Sequence, residues 1–154
     1  MIKSSKNIFI IFILVSVIGC GYTPLLDVNK EKFFINKLSL EGDRQVSNYI
    51  SINLKRYQNY KEDMKIIDMK ISSNYQKSVA NKDRSGDPKN YNIKLIVEVN
   101  IMKDEKIILS KIFEENRSLA VQNRKIKEKE MERKYKKDLS NLISKNIIFF
   151  LSNQ

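Results

Sequence analysis

From Tyr91 to Ile101 the chain alternates between apolar and polar residues with a single lapse. Tyr91, Ile93, Leu95, Val97, Val99 and Ile101 occupy one parity; Asn92, Lys94, Glu98 and Asn100 occupy the other, and Ile96 is the exception. Successive side chains of a strand point to opposite faces, so a period of two specifies a strand with one buried and one wet face. The sheet around it is therefore half open, with its cover on one side. Lys103-Asp104-Glu105-Lys106 reads as a short connection, and Ile107 to Arg117 as a fourth strand returning in a hairpin.

The rest of the chain supplies two more strands and two helices. Phe33 to Leu40 is a first strand, with Phe34, Leu38 and Leu40 on one parity and Lys37 and Ser39 on the other. Glu41-Gly42-Asp43 reads as a turn, with Asp43 placed to cap a helix. The helix runs from Arg44 to Asn59, because Val46, Tyr49, Ile50, Leu54 and Tyr57 recur at three and four residues; Asn53 interrupts that stripe. Lys65 to Ser78 is a second strand through Ile66, Ile67, Met69, Ile71 and Tyr75. Its imperfect alternation predicts a bulge or a long twisted strand. Residues 79–89 are dense in turn formers and charge and read as an exposed loop.

Residues 119–153 read as one long helix of two characters. Arg124 to Lys137 is mostly charge, with Glu130–Lys134 and Glu132–Lys136 in the favourable order for pairs four residues apart. This half reads as a solvated helix rather than a binding surface. The second half draws a stripe through Met131, Tyr135, Leu139, Leu142, Ile143, Ile147 and Phe150. Ile147 to Leu151 is apolar all round, which means full burial or contact with a partner. The order β-α-β-β-β-α predicts an α+β two-layer sandwich, a four-stranded sheet with both helices on one face. Its open face or edge is a place to meet a partner.

Cys20 is the chain's single cysteine. Lys3 and Lys6 precede an apolar run from Ile8 to Ile18 broken only by Ser16, and the run ends in Val17-Ile18-Gly19-Cys20. A basic start, a short apolar core and a small residue before the cut make a secretory signal. A cysteine in the first mature position makes it a lipoprotein signal. The expected anatomy is a removed signal at 1–19, a lipidated tether at 20–31 and a folded domain at 32–154. The expected lipid is a diacylglyceryl thioether with an N-acyl chain on Cys20. A permanent spanning helix needs about 20 apolar residues, a disulfide needs a second cysteine, and a catalytic thiolate needs a base such as His. Gly21 is not the Asp that retains many lipoproteins in the inner membrane, so an outer-membrane anchor facing the periplasm is expected.

Removal of Lys3 and Lys6 with the signal lowers the formal charge from +11 to +9. A basic protein in that compartment meets no nucleic acid. Anionic lipid, lipopolysaccharide, peptidoglycan or an acidic protein are the available partners. Lys, Ile and Asn are all abundant, and a compositional origin for the excess lysine stands beside that reading. The chain has no His, which leaves no Ser-His-Asp hydrolysis and no His-containing metal site. Glycines sit only at 19, 21, 42 and 86, so there is no phosphate-cradling loop. Glu62-Asp63 and Glu114-Glu115 are sequence neighbours, and adjacent strand residues face opposite ways. No enzyme and no metal or organic cofactor is expected.

This pattern resembles the LPS-assembly lipoprotein family, LptE, in its alphaproteobacterial form. The resemblance rests on Gly19-Cys20-Gly21-Tyr22-Thr23-Pro24-Leu25, on the helix Arg44 to Leu54, on the strand Tyr91 to Val99 and on a long charged terminal helix. The order and lengths of the elements carry it across the whole mature chain. The terminal helix is richer in lysine and poorer in alanine than is usual there. The resemblance implies a plug inside the barrel LptD, a role in assembling that barrel, and assistance to lipopolysaccharide on its way to the cell surface. It also implies that basic residues near the loop between the second and third strands contact lipopolysaccharide. The matching positions are Lys82, Arg84 and Lys89. Arg84 leads, because a guanidinium grips phosphate with two parallel hydrogen bonds; a plain solvated loop charge is its other reading. A pilotin or adaptor for another barrel or secretin is the alternative function. A peptidoglycan-binding lipoprotein is weaker, for lack of any sugar-binding signature.

Overall fold

The structure, a computed structural model, describes residues 33–60 and 62–153. The signal at 1–19, Cys20 and the tether at 20–31 lie outside the described residues. The elements are β1 (Phe33–Gly42), α1 (Arg44–Leu54), β2 (Lys65–Lys82), β3 (Pro88–Lys103), β4 (Lys106–Ala120) and α2 (Lys125–Ser152), with a 3-10 turn at Lys55–Gln58 after α1. They form a four-stranded sheet in the order β1-β2-β3-β4, and the fold is the expected α+β sandwich. β1 and β2 are parallel, and the other two pairs are antiparallel. A parallel pair needs a crossover, and α1 provides it.

The alternation in β3 holds: Ile93, Leu95, Val97 and Val99 are all fully buried. They meet Ile67, Met69 and Ile71 of β2, Val46, Ile50 and Leu54 of α1, and Leu139, Ile143, Ile147 and Leu151 of α2 in one core. Each fully buried aliphatic side chain contributes about 1.5–3 kcal/mol relative to exposure. Asn53, the polar lapse in the α1 stripe, donates to Asn141 Oδ1 (2.8 Å) and Ser144 Oγ (3.2 Å) of α2. The lapse is thus a helix-to-helix clasp.

Several boundaries and parities differ from the sequence reading. In β1 the core side is Phe33 and Ile35, not Phe34, because the ladder slips between Ile35 and Lys37. Asn36 is the extra residue of a bulge, which reverses the parity so that Leu38 and Leu40 still pack on the core. Asp68 Oδ1 accepts from Asn36 Nδ2 (2.8 Å) and the Lys37 amide (3.1 Å), so the bulge's freed groups are bonded. The strand continues to Gly42 at φ +99, where a Cβ would lie 1.8 Å from the Ser73 carbonyl oxygen. Only glycine allows that approach. In β2 the alternation is regular through Ile67, Met69, Ile71 and Ser73, and Ile66 faces outward; the expected irregularity lies further along this 18-residue strand, where the ladder with β3 slips between Val79 and Lys82. The supposed loop at 79–89 is mostly ladder: β2 runs to Lys82, β3 starts at Pro88, and the turn itself is 83–87. Residues 119 and 120 end β4, and α2 starts at Lys125 rather than 119. Leu142 is largely exposed, and Ser140 takes the buried place beside Leu139. Ile147 and Leu151 are buried while Phe149 is exposed, so that apolar segment is not buried all round.

Candidate functional site

One end of the sheet carries the three basic residues expected from the sequence. Lys82 closes β2, Arg84 sits in the turn and Lys89 is the second residue of β3; all three are exposed. The turn organises itself around Asp83. Its Oδ1 accepts from the Ser85 amide (2.8 Å) and the Asp87 amide (2.9 Å), and its backbone pairs with Asp87 and Gly86. Gly86 supplies the positive φ of +87. The Asp83 carboxylate is engaged with its own turn, and Lys82, Arg84 and Lys89 have no ion-pair partner among the described residues.

The first half of α2 leads to the same end. The Val121 amide bonds the Lys89 carbonyl (3.1 Å), which seats the segment before α2 against the start of β3. This half is not simply solvated. Lys77 of β2 binds Glu128 (2.8 Å) and Glu132 (3.0 Å), and its Nζ stands 4.3 Å from the centre of the Tyr91 ring. Tyr75 donates its hydroxyl to Glu132 (2.7 Å). Lys136 reaches Asp43 (2.8 Å) while standing 3.9 Å from the centre of the Tyr75 ring. Asp43 accepts from the amides of Gln45 and Val46 and caps α1 as the sequence indicated. Glu132 and Lys136 thus each reach a partner on another element.

Half-burial would raise the Glu132 carboxyl, but bonds from Tyr75 and Lys77 outweigh it and hold it below the usual value. Asp43 is likewise lowered: burial pushes up, and Lys136 with the two cap amides prevails. Burial first, then Glu132, drives the Tyr75 hydroxyl well above its ordinary value. Lys77 is raised, because its two carboxylate bonds overcome the downward push of burial.

This network sorts the charges of α2. Glu128 and Glu132 turn inward to Lys77, while Lys125, Lys127, Lys129, Arg133, Lys134 and Lys137 are exposed. Gln45, Lys129, Glu132, Arg133 and Lys136 line a shallow groove of about 240 Å³ between α1 and α2. The sequence reading missed this surface. Its signal was available: Glu128 and Glu132 occupy the line that Tyr135, Leu139 and Ile143 continue toward the core. The hairpin tip and this helix face together present cations suited to phosphates or carboxylates of a polyanion.

No family model and no curated protein matches the sequence. Solved structures do match in fold. Rare lipoprotein B from Shewanella oneidensis matches with a TM-score of 0.55 at 17% identity, over 77% of this chain and 98% of that one. A lipoprotein B from Nitrosomonas europaea matches at 0.51 and 12%, over 75% and 84%. A minor lipoprotein from Acinetobacter baumannii matches at 0.50 and 16%, over 75% and 92%. At these identities the likeness is one of fold: the chain has the architecture of solved bacterial lipoproteins.

Proposed function

We propose that this chain is an outer-membrane lipoprotein of the LptE type, anchored through Cys20 on the periplasmic side. It plugs and helps assemble an LptD-type barrel and assists lipopolysaccharide transport to the outer leaflet. The observation that carries this reading is the coincidence of two independent features. A lipoprotein signal ending at Cys20 stands before a domain with the fold of solved lipoproteins. The basic end adds a surface of the right charge for the phosphates of lipopolysaccharide, with Lys82, Arg84 and Lys89 at its tip.

Purification of the tagged protein in mild detergent tests the reading. A co-eluting LptD-like barrel is expected, and depletion of the protein should strand lipopolysaccharide short of the cell surface. Recovery of a secretin or another barrel instead would establish the adaptor reading. Normal surface lipopolysaccharide on depletion would overturn the transport role. Arg84→Glu should weaken lipopolysaccharide binding with barrel recovery intact; unchanged binding removes Arg84 from the site.

A further inference from the structure

On the face of the sheet turned away from the helices, one buried acceptor lacks a donor. The core takes Ile93, Leu95, Val97 and Val99 of β3, so Lys94, Glu98 and Asn100 stand on the other face. Ladder partners share a face: Ser72 and Ile112 flank Glu98, and Lys70 and Ser110 flank Asn100. Asn100 is only 7% exposed, although no helix covers this side among the described residues. Its Nδ2 donates to Glu98 Oε1 (3.2 Å), and the Ser110 hydroxyl lies 3.4 Å from the same oxygen. Its Oδ1 is buried and has no hydrogen-bond partner among the described residues. A buried carboxamide oxygen without a donor loses its hydration uncompensated, and native structures leave few such groups.

The lysines of this face do not answer that acceptor. Lys70, directly opposite Asn100, is bonded to Glu41 (2.7 Å), and Lys94 is bonded to Glu114 (2.7 Å). Glu98 has no ion-pair partner among the described residues. Glu98, Asn100 Oδ1 and Ser110 Oγ therefore form a cluster of acceptors in a chain of net positive charge. Such a cluster suits a guanidinium or an ammonium, which bring only donors and a positive charge. A polyanion brings the opposite, so this cluster and the basic tip cannot share a ligand. Asn74, Gln76, Asn92 and Asn116 extend the same face with amides. Amides both donate and accept, and the inner wall of a membrane barrel is polar.

We propose that the open face of the sheet meets the inner wall of the barrel, and that a basic side chain of that wall lies across Glu98, Asn100 and Ser110. This inference rests on the barrel partner of the proposed function. The wall's cation supplies the charge that Glu98 lacks and the donor that Asn100 Oδ1 lacks. A carboxylate with a neighbouring carboxamide oxygen fixes the direction as well as the sign of the incoming group. The orphaned oxygen is then a feature of the free chain alone, satisfied on assembly. Recognition of the barrel and recognition of a polyanion occupy separate surfaces of opposite chemistry.

Full-length protein titrated against the purified LptD-type barrel in mild detergent tests this. Glu98→Gln and Asn100→Leu should each weaken binding roughly tenfold or more, the usual loss when one partner of a buried charged contact is removed. Without the barrel, the urea midpoint of Asn100→Leu should hold or rise, because leucine removes the orphaned oxygen. A lower midpoint would mean that the oxygen already has a donor in the free chain, and overturns the proposal. A photo-crosslinker at position 110 should attach beside an Arg or Lys of the wall, and changing that residue to Glu should restore binding to Glu98→Lys. Barrel binding that EDTA abolishes would put a metal ion in the cluster and also overturns the proposal. The two readings fail separately. A wild-type chain that binds no barrel overturns the proposed function and this inference with it, whereas undiminished binding by both variants overturns this inference alone.

Discussion

The two halves of α2 lie on the same sheet but adhere by different physics. The C-terminal half contributes Leu139, Ile143, Ile147 and Leu151, all buried, to the common core. Such burial is non-directional and roughly additive in area. The N-terminal half adheres through Lys77, Tyr75 and Asp43, whose partners are Glu128, Glu132 and Lys136. For these groups the loss of hydration offsets much of the attraction. The difference teaches a division of labour. The apolar half holds the domain together, and the charged half fixes how the helix is rotated, so that Glu128, Glu132 and Lys136 face in while Lys125, Lys127, Lys129, Arg133, Lys134 and Lys137 face out.

The largest expected effect breaks the apolar half. Ile143→Ala should cost about 2–5 kcal/mol, from lost burial and a residual cavity, read as a lower urea midpoint with an unchanged slope. Next comes the polar half. Lys77→Met removes the cation shared by Glu128 and Glu132, side chains 18% and 24% exposed. The cost should be about 1–3 kcal/mol, between the values for surface and buried pairs. Adding Glu128→Gln and Glu132→Gln should recover much of it, and no recovery would deny that the pairing matters.

The pH response sharpens the same contrast. Glu132 and Asp43 are held below their ordinary values of 4.5 and 3.8. Their contribution is whole above those values and disappears as the pH falls through the depressed ones. Lys77 is held above its ordinary 10.5, so its contribution is whole below that value and lost as the pH rises past it. Stability should therefore be flat from roughly pH 5 to pH 10 and fall on both sides. The Tyr75 hydroxyl, held above its ordinary 10.0, adds to the alkaline limb, so Lys77→Met should reduce both limbs without abolishing the alkaline one, while Ile143→Ala lowers the whole curve without reshaping it. The smallest effect is at the tip: Arg84→Glu should change stability by no more than about 0.5 kcal/mol, which keeps its binding test interpretable.

What the sequence made legible follows from where faces are buried. β3 and α1 announce themselves because each buries one side against the core. Val79 to Lys82 extend β2 where neither side is buried, so no periodicity marks them as ladder. In β1 one inserted residue, Asn36, was enough to place Phe34 on the wrong side. The Asp43 cap is a local signal and was readable. The Lys77–Glu128 pair joins residues 51 apart, and only the folded arrangement brings them together.

The position of α2 in the chain sets the order of assembly. β2, β3 and β4 are joined by short turns, and their pairings are local and therefore fast to form. Leu139, Ile143, Ile147 and Leu151, which share the core with Ile93, Leu95 and Val97, reside in the last element. A newly made chain thus holds an apolar sheet covered only in part, by α1, until its end has been delivered. That interval is when it is most prone to stick to itself. α2 is then the closing step of folding as well as a wall of the core, and whatever guards this chain in transit has to hold on until that helix arrives.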